Sequence, residues 1–186
     1  MQITETDIPD VLIIDPVVHR DSRGEFAEIM RASDFSRITG GKNLVQINQS
    51  VSGKGVLRGL HCQMKHPQGK LVRAVHGEVF DVAVDLRRDS PTFGRSVSVV
   101  LSAENHRMLW IPEGFAHGFL VLSESACFVY GCTDYYDASS EQTILWNDPD
   151  LAISWPAVKN VDGTVRAPVV SAKDAAAAAF RDALYF

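Results

Sequence analysis

The chain has 186 residues, 46% of them hydrophobic and 22% charged, which is enough for one sizeable core but too few for two full domains. Its 18 basic and 23 acidic residues give a net charge of −5, which argues against an extended surface for nucleic acid or an anionic membrane. We therefore expect one domain over residues 1–186, in which any anionic ligand is held by a few local cations.

The first residues of the chain and its cysteines give information about the cellular compartment. The first residues, MQITETDIPDVLII, lack a basic segment followed by an apolar stretch, and no window approaches the ~20 apolar residues of a membrane span. Cys62, Cys127 and Cys132 are odd in number and lack C-x-x-C spacing, so a disulfide framework is not expected. These features predict a soluble, cytoplasmic protein.

Short runs in which apolar and polar residues alternate fill the chain from position 44 to 133. They are LVQINQSVS (44–52), VLRGLHCQ (56–63), LVRAVHGEVFDVAVDL (71–86), SVSVVLS (96–102), MLWIP (108–112), FLVLS (119–123) and ACFVYGCT (126–133). This period indicates strands, and many short strands predict a sandwich or small barrel. Helical signals are limited to residues 33–38 and the Ala-rich tail, 174–184, which Ser171 can cap. The predicted class is mainly β, with a few short helices mostly towards the C-terminus.

The first predicted strand carries polar residues on one face. Gln46, Asn48, Ser50 and Ser52 are spaced by two, so a strand places them together, with the apolar residues opposite. One interpretation is an ordinary half-exposed strand. The other is a pocket wall that binds the hydroxyls and carbonyl of a sugar.

The next strand combines an arginine and a histidine with a glycine between them. Arg58 and His61 are three residues apart, so a regular strand would point them to opposite faces. Gly59 can relieve this through a bulge, which is common beside active sites. We therefore predict an irregularity there.

A second histidine, His117, lies in I-P-E-G-F-A-H-G-F (111–119). Its P-x-G-x-x-H spacing is similar to the second motif of the cupin superfamily of β-barrels. A metal-binding cupin would present H-x-H and a nearby Glu from its first motif. Here those positions read His61, Cys62 and Gln63, so we expect no metal.

Without a metal, a histidine of near-neutral pKa is the natural general base for a proton on carbon next to a carbonyl. Lys70 can stabilise the enolate and Tyr130 can donate a proton from the other side, although a snorkelling lysine and a core tyrosine fit the sequence equally. Asp174 has two interpretations as well: part of a helix capping box with Ser171, or the carboxylate that orients His61.

Seven motifs stand in order along the chain: D-S-R-G-E-F-A-E (21–28), Q-I-N-Q-S (46–50), G-V-L-R-G-L-H-C-Q (55–63), Q-G-K-L-V (68–72), D-V-A-V-D-L-R-R-D-S-P-T-F-G (81–94), I-P-E-G-F-A-H-G-F (111–119) and W-N-D (146–148). Together they resemble the dTDP-4-dehydrorhamnose 3,5-epimerase family, and the match runs from about residue 3 to Asp174. The resemblance implies a cupin-type β-barrel or jelly roll that inverts C3 and C5 of dTDP-4-keto-6-deoxy-D-glucose without a cofactor, on the path to dTDP-L-rhamnose.

The resemblance also implies roles for single residues. The base corresponds to His61, its carboxylate partner to Asp174, the acid to Tyr130 and the enolate-stabilising lysine to Lys70. Substrate contacts correspond to Arg23, Phe26, Glu28, Gln46, Asn48, Arg58, His117, Tyr136, Glu141 and Lys173. A homodimer is implied, in which the N-terminal strand of one subunit pairs with the other.

Three other functions remain open at this point. An epimerase that inverts only C3 or only C5 would keep the same base and most of the contacts. A metal-dependent cupin would need a filled ligand set around His61 and His117. A sugar-nucleotide binding module would make His61, Lys70 and Tyr130 dispensable. Asp81 and Asp85 are alternatives to Asp174 as the acid that orients His61.

Overall fold

A computed structural model describes all residues, 1–186, and the chain is built mainly from strands. The strands are β1 Gln2–Glu5, β2 Leu12–Asp15, β3 Val18–Asp21, β4 Gly24–Ala27, β5 Gln46–Gly53, β6 Leu57–Gln63, β7 Lys70–His76, β8 Glu78–Asp85, β9 Ser96–Ser102, β10 Met108–Ile111, β11 Phe115–Val121, β12 Ser125–Cys132, β13 Glu141–Thr143, β14 Val158–Lys159 and β15 Val165–Arg166. The helices are α1 Ala32–Ile38 and α2 Ala172–Ala175, with 3-10 turns at Ala138–Ser140 and Phe180–Asp182. The mainly β prediction is confirmed.

Two antiparallel sheets face each other. One has the order β1-β2-β10-β7-β12-β5 and the other β13-β6-β11-β8-β9. The main core lies between them, where the rings of Phe119 (β11) and Phe128 (β12) stack with centroids 4.3 Å apart. This is the two-sheet arrangement of a cupin-like jelly roll, in which inward-facing residues of both sheets bury each other.

Strand β5 is an edge strand with its polar face turned inward. Gln46, Asn48, Ser50 and Ser52 are partly or fully buried, whereas Ile47 and Val51, on the opposite face, are 72% and 66% exposed. The predicted grouping of the polar residues is confirmed: one face of the strand is exposed, and the polar face is turned towards the interior. Polar side chains turned inward indicate a polar cavity rather than a packed core.

The predicted irregularity at Gly59 is confirmed. In the β6–β11 pair, His61 lies opposite His117 but Arg58 lies opposite Phe119, so β6 carries one extra residue between these two pairs. Gly59 has a φ of +131°, and a Cβ atom there would come within 2.6 Å of the Gly118 Cα. Only glycine fits this close approach of two backbones.

The C-terminal tail is less helical than its alanines predict. Helix α2 ends at Ala175, and beyond it Ala178 forms a parallel bridge with Ile144 and accepts a hydrogen bond from the Leu145 N–H at 2.9 Å. The prediction of a helix over 174–184 is therefore wrong, because pairing with the barrel replaces the intrahelical hydrogen bonds. The predicted helix at 33–38 is confirmed by α1.

The N-terminal segment forms a hairpin within the chain, since β1 pairs with β2 and β2 with β10. All four residues of β1 are exposed, and β1 is an edge of the larger sheet. None of the helices is both long and apolar enough to cross a membrane.

Candidate active site

A cavity of about 420 Å³ lies between the two sheets. It is lined by Gln46, Asn48, Gln49, Ser50, Arg58, His61, Cys62, Gln63, Gln68, Lys70, His117, Phe119, Tyr130, Tyr136 and Glu141. Nine residues from the sequence-based set therefore meet here: Gln46, Asn48, Arg58, His61, Lys70, His117, Tyr130, Tyr136 and Glu141. A concave site lined by convergent polar groups suits a polar ligand such as a sugar.

His61 forms a dyad with Asp174. The His61 Nε2 lies 2.8 Å from the Asp174 Oδ1, and the Asp174 residue is 3% exposed. Because a carboxylate only accepts, Nε2 carries the proton and Nδ1 keeps its lone pair. Burial lowers the pKa of His61, and its hydrogen bond to Asp174 opposes this shift. A neutral imidazole held in one tautomer is suited to act as a general base.

Only half of the capping box forms, because the Asp174 side chain bonds to His61 instead of returning to the Ser171 N–H. The Asp174 backbone N–H donates to the Ser171 Oγ at 3.0 Å, which caps α2, while its side chain accepts from His61 and, at 3.4 Å, from the Gly59 N–H. The alternative acids are engaged elsewhere, since Asp81 bonds to His117 and Asp85 to Arg87.

Tyr130 and Lys70 reach the cavity from the sheet opposite His61. His61 belongs to β6 of the five-stranded sheet, whereas Tyr130 and Lys70 lie on the paired strands β12 and β7 of the six-stranded sheet. Burial raises the pKa of Tyr130 and lowers the pKa of Lys70. Tyr130 therefore keeps its proton at neutral pH, and Lys70 has no carboxylate within ion-pair distance.

A second histidine–carboxylate pair stands beside the first. His117 lies opposite His61 in the β6–β11 pair, and its Nε2 is 2.9 and 3.1 Å from the two carboxylate oxygens of the fully buried Asp81. The sequence analysis weighed Asp81 only as a partner of His61. A charged residue inside the apolar run V-F-D-V-A-V is the signal that marks it as a buried partner, because such a carboxylate must be paired.

At the mouth of the cavity, Glu141 joins two segments. Its Oε1 lies 2.7 Å from the Lys173 Nζ, and its Oε2 accepts a hydrogen bond from the Tyr136 hydroxyl at 2.9 Å. Burial alone would raise the pKa of Glu141, but the hydrogen bonds from Lys173 and Tyr136 hold it below its usual value. Lys173 therefore does not line the cavity itself, but it is linked to the cavity by its ion pair with Glu141.

Three of the implied substrate contacts lie elsewhere in the chain. Arg23 and Phe26 line a separate concavity around the β3–β4 hairpin, and Phe26 is 70% exposed. Arg23 is bonded to Asp21, and Glu28 forms an ion pair with Arg31 at 2.7 Å. Within one chain, the structure does not bring these three residues to the cavity that holds His61.

Several lining residues were missed as site residues, among them Gln49, Cys62, Gln68 and Phe119. No group of three or more His, Cys, Asp or Glu side chains is arranged to hold a metal ion. The Gln63 amide, at the position of a cupin metal ligand, bonds instead to backbone groups.

Comparison with known proteins places this chain in a family. The chain matches the family described as dTDP-4-dehydrorhamnose 3,5-epimerase over residues 5–182. The enzyme of that name from Shigella flexneri is 53% identical, with the match covering 100% of this chain and 99% of the relative. The one from Neisseria gonorrhoeae is 52% identical over 95% of this chain, which spans 52% of that relative's length.

A solved structure gives the same result. It is dTDP-6-deoxy-D-glucose-3,5-epimerase from Legionella pneumophila in complex with dTDP-4-keto-L-rhamnose, with a TM-score of 0.91, 49% identity and coverage of 97% of this chain and 93% of the other. Sequence and fold thus agree over nearly the whole chain. The chain belongs to the dTDP-4-dehydrorhamnose 3,5-epimerase family.

Proposed function

We propose that this enzyme inverts C3 and C5 of dTDP-4-keto-6-deoxy-D-glucose with His61 as the base and Tyr130 as the acid, in dTDP-L-rhamnose biosynthesis. It is an isomerase, because it belongs to an epimerase family and its relatives at about 50% sequence identity are epimerases. The observation that supports the mechanism best is the His61–Asp174 dyad facing Tyr130 from the opposite sheet across one cavity.

The chemistry uses the 4-keto group twice. The carbonyl acidifies the hydrogens on both neighbouring carbons, so the Nδ1 of His61 can remove one as a proton while the electron pair moves to the carbonyl oxygen. Lys70 donates a hydrogen bond to that enolate oxygen, and Tyr130 delivers a proton to the opposite face of the carbon. His61 then releases its proton to solvent and Tyr130 takes one up from solvent, so the pair is reset and the same steps at the second carbon complete the double inversion.

The remaining lining groups, together with Lys173, which pairs with the lining residue Glu141, hold the nucleotide and the sugar. Arg58 and Lys173 supply charge-assisted hydrogen bonds for the pyrophosphate, which a protein of net charge −5 must otherwise repel. Polar and ring side chains contact the sugar and the base: Gln46, Asn48, His117, Tyr136 and Glu141.

The direct test of the reaction is incubation with dTDP-4-keto-6-deoxyglucose in deuterated water, coupled to a reductase that accepts only the doubly inverted sugar. We expect coupled turnover and deuterium at both C3 and C5. Deuterium at only one carbon, without coupled turnover, would contradict the double inversion and favour an enzyme that inverts one centre.

Tyr130→Phe separates proton removal from proton delivery. We expect about 10²-fold slower product formation, the lower part of the range for general acid catalysis, while exchange of substrate hydrogens with deuterated water continues. The reason is that His61 still removes and returns a proton on its own face. Product formation and exchange, followed by NMR, check this. Equal loss of both would show that Tyr130 is not the acid.

Catalysis needs no metal in this proposal. The described side chains provide no group of three or more His, Cys, Asp or Glu ligands, and the Gln63 amide is occupied by the backbone. Activity is expected to survive exhaustive chelation. Loss on chelation, with recovery on adding iron, manganese or zinc, would support a metal-dependent cupin instead.

A homodimer accounts for the residues that lie apart. The exposed edge strand β1 can pair with a second copy. Ile47 and Val51, with Gln49 between them, also form an exposed surface on the outer face of β5 that is suited to a partner. A second copy can bring its own β3–β4 hairpin, with Arg23, Phe26 and the following Glu28, to the cavity of the first, where Phe26 can stack on the thymine ring. Residues 1–186 act as one domain in each subunit. Three free thiols support a cytoplasmic location.

The dimer is tested by Val51→Lys. Because this change places a charge on the outer face of β5 and leaves the cavity face untouched, we expect the dimer to dissociate at micromolar concentration, as measured by analytical ultracentrifugation. Val161→Lys is the matched control, since Val161 is fully exposed in the loop between β14 and β15. If Val51→Lys remained a dimer, the interface would lie elsewhere on the protein. If the parent protein were itself a monomer, the proposed dimer would be wrong.

A further inference from the structure

Gln63 lines the cavity, yet its side chain is bonded entirely to the backbone. It lies two residues after His61 in β6 and is 4% exposed. Its Nε2 donates to the carbonyl oxygens of His66 at 2.7 Å and Tyr135 at 3.2 Å, and its Oε1 accepts from the Asp137 N–H at 2.8 Å. Both ends of the amide are therefore satisfied inside the protein.

These bonds hold the peptide groups on both sides of Tyr136. The peptide before it is bonded at its carbonyl by Gln63 and at its N–H by the Gln46 Oε1, at 2.9 Å. The peptide after it is bonded at the Asp137 N–H by Gln63. Since φ and ψ of a residue are set by its two flanking peptide planes, the backbone of Tyr136 is fixed by side chains of the barrel.

Tyr136 has no regular structure of its own to hold it. It lies in the segment between β12 and the 3-10 turn, and it is 56% exposed. Its hydroxyl nevertheless donates to Glu141, which in turn pairs with Lys173. A side chain in an exposed loop needs such fixed neighbours if it is to bind substrate without first being ordered.

We propose that Gln63 is a positioning residue for substrate binding, which holds Tyr136, and through it the Glu141–Lys173 pair, at the mouth of the cavity. Gln63 occupies the sequence position of a cupin metal ligand but orients a loop instead. The consequence for substrate binding rests on the function proposed above, whereas the consequence for the loop does not. In this proposal Gln63 takes no part in proton transfer, so its loss should affect substrate binding rather than the chemical step.

The primary test is Gln63→Met, which keeps the length of the side chain and removes all three hydrogen bonds. We expect amide hydrogen exchange at Tyr136 and Asp137 to become at least about tenfold faster, because both amides lose their fixed surroundings. We expect KM to rise about tenfold, as for other residues that orient binding groups, with kcat changed by less than about twofold. Unchanged exchange at both amides would overturn the proposal.

Gln142→Met is the matched control. Gln142 lies on the adjacent strand β13, and its amide bonds to the N–H and carbonyl of Leu184 in the tail. It also makes weaker contacts to the sulfur atoms of Cys62 and Met64, but none to residues 135–137. Its loss is expected to leave KM and the exchange at residues 136 and 137 unchanged. If Gln142→Met reproduced both effects, a general loosening would explain them and the proposal would fail.

A double-mutant cycle with Tyr136→Ala decides whether Gln63 acts through Tyr136. Once the tyrosine side chain is absent, Gln63→Met should raise KM by less than about twofold further, since coupled residues are not additive. If Gln63→Met raised KM about tenfold in the Tyr136→Ala background as well, the proposal would be overturned. If Gln63→Met does not fold, the isosteric Gln63→Glu, which keeps only the acceptor for the Asp137 N–H, takes its place in each measurement.

The two proposals fail in different ways. If the parent enzyme did not turn over dTDP-4-keto-6-deoxyglucose, the proposed reaction would be wrong, and the exchange measurement would still decide whether Gln63 holds the loop. If turnover is normal but exchange or additivity goes against expectation, only the role of Gln63 is overturned.

Discussion

Replacement of His61 by asparagine is expected to lower kcat by about 10²- to 10⁴-fold, the usual contribution of a general base. Asparagine can keep a hydrogen bond to Asp174 but cannot accept a proton from carbon. KM should change much less, because one polar group of similar size still lines the cavity. Deuterium exchange into substrate should fall in parallel, which separates the loss of proton removal from a later defect.

The control for this variant is His76→Asn. His76 is exposed and lies near Ser125, with 3.2 Å between its Nε2 and the Ser125 Oγ. This change should leave kcat and exchange unaltered. If His61→Asn exchanged substrate hydrogens at the rate of the parent enzyme, His61 would not be the base, and a non-catalytic binding role would become the better account.

The pH dependence follows from the direction of the His61 pKa shift. Burial places this pKa below the usual value of 6.5, with Asp174 opposing the shift. A base must be deprotonated to act, so kcat/KM should fall on the acid side, with a midpoint below 6.5, and stay level through neutral pH. A midpoint above 6.5 would mean that Asp174 raises the pKa of His61 more than burial lowers it, against this expectation.

Asp174→Asn is expected to have the second largest effect, a fall in kcat of about 10²- to 10³-fold. The neutral amide cannot stabilise the imidazolium and no longer enforces the tautomer that leaves Nδ1 free. The loss should be smaller than for His61→Asn because the base itself remains. Since Asp174 raises the pKa of His61, the acid limb of the kcat/KM profile should also move to lower pH.

Ser171→Ala distinguishes this role of Asp174 from its place in a helix cap. The cap uses the Asp174 backbone N–H, which asparagine retains, so Asp174→Asn should leave the unfolding free energy nearly unchanged. Ser171→Ala removes the cap and should cost about 1 kcal/mol of stability with little change in kcat. If Asp174→Asn lost stability but kept the kcat of the parent enzyme, Asp174 would belong to the cap alone.

Much of the barrel could be predicted from local pattern. Alternation places strands from β5 to β12 within a few residues of where they lie, because a strand with one buried face needs a period of two. The irregularity at Gly59 was predictable for the same reason, since Arg58 and His61 cannot share a face without it. Strands β2, β3 and β4 were missed because each has only four residues, and β3 and β4 are also largely exposed.

The C-terminal tail shows where prediction from local sequence fails. Five alanines favour a helix, and Ser171 does cap one, but bonds to Ile144 and Leu145 of the barrel replace the helix after Ala175. Propensity is worth only tenths of a kcal/mol per residue, so tertiary hydrogen bonds and packing decide.

The sequence by itself determined the family and supplied the candidates for the proposed chemistry: a histidine as base, a tyrosine as acid, a lysine and a carboxylate. The tertiary structure decided their partners. Asp174, rather than Asp81 or Asp85, meets His61, because the strand-like tail crosses beside β6 and places a distant carboxylate there. It also turned the polar face of β5 inward and set Arg23 and Phe26 apart from the cavity. Contacts between residues more than a hundred positions apart depend on how sheets pack, which no local pattern contains.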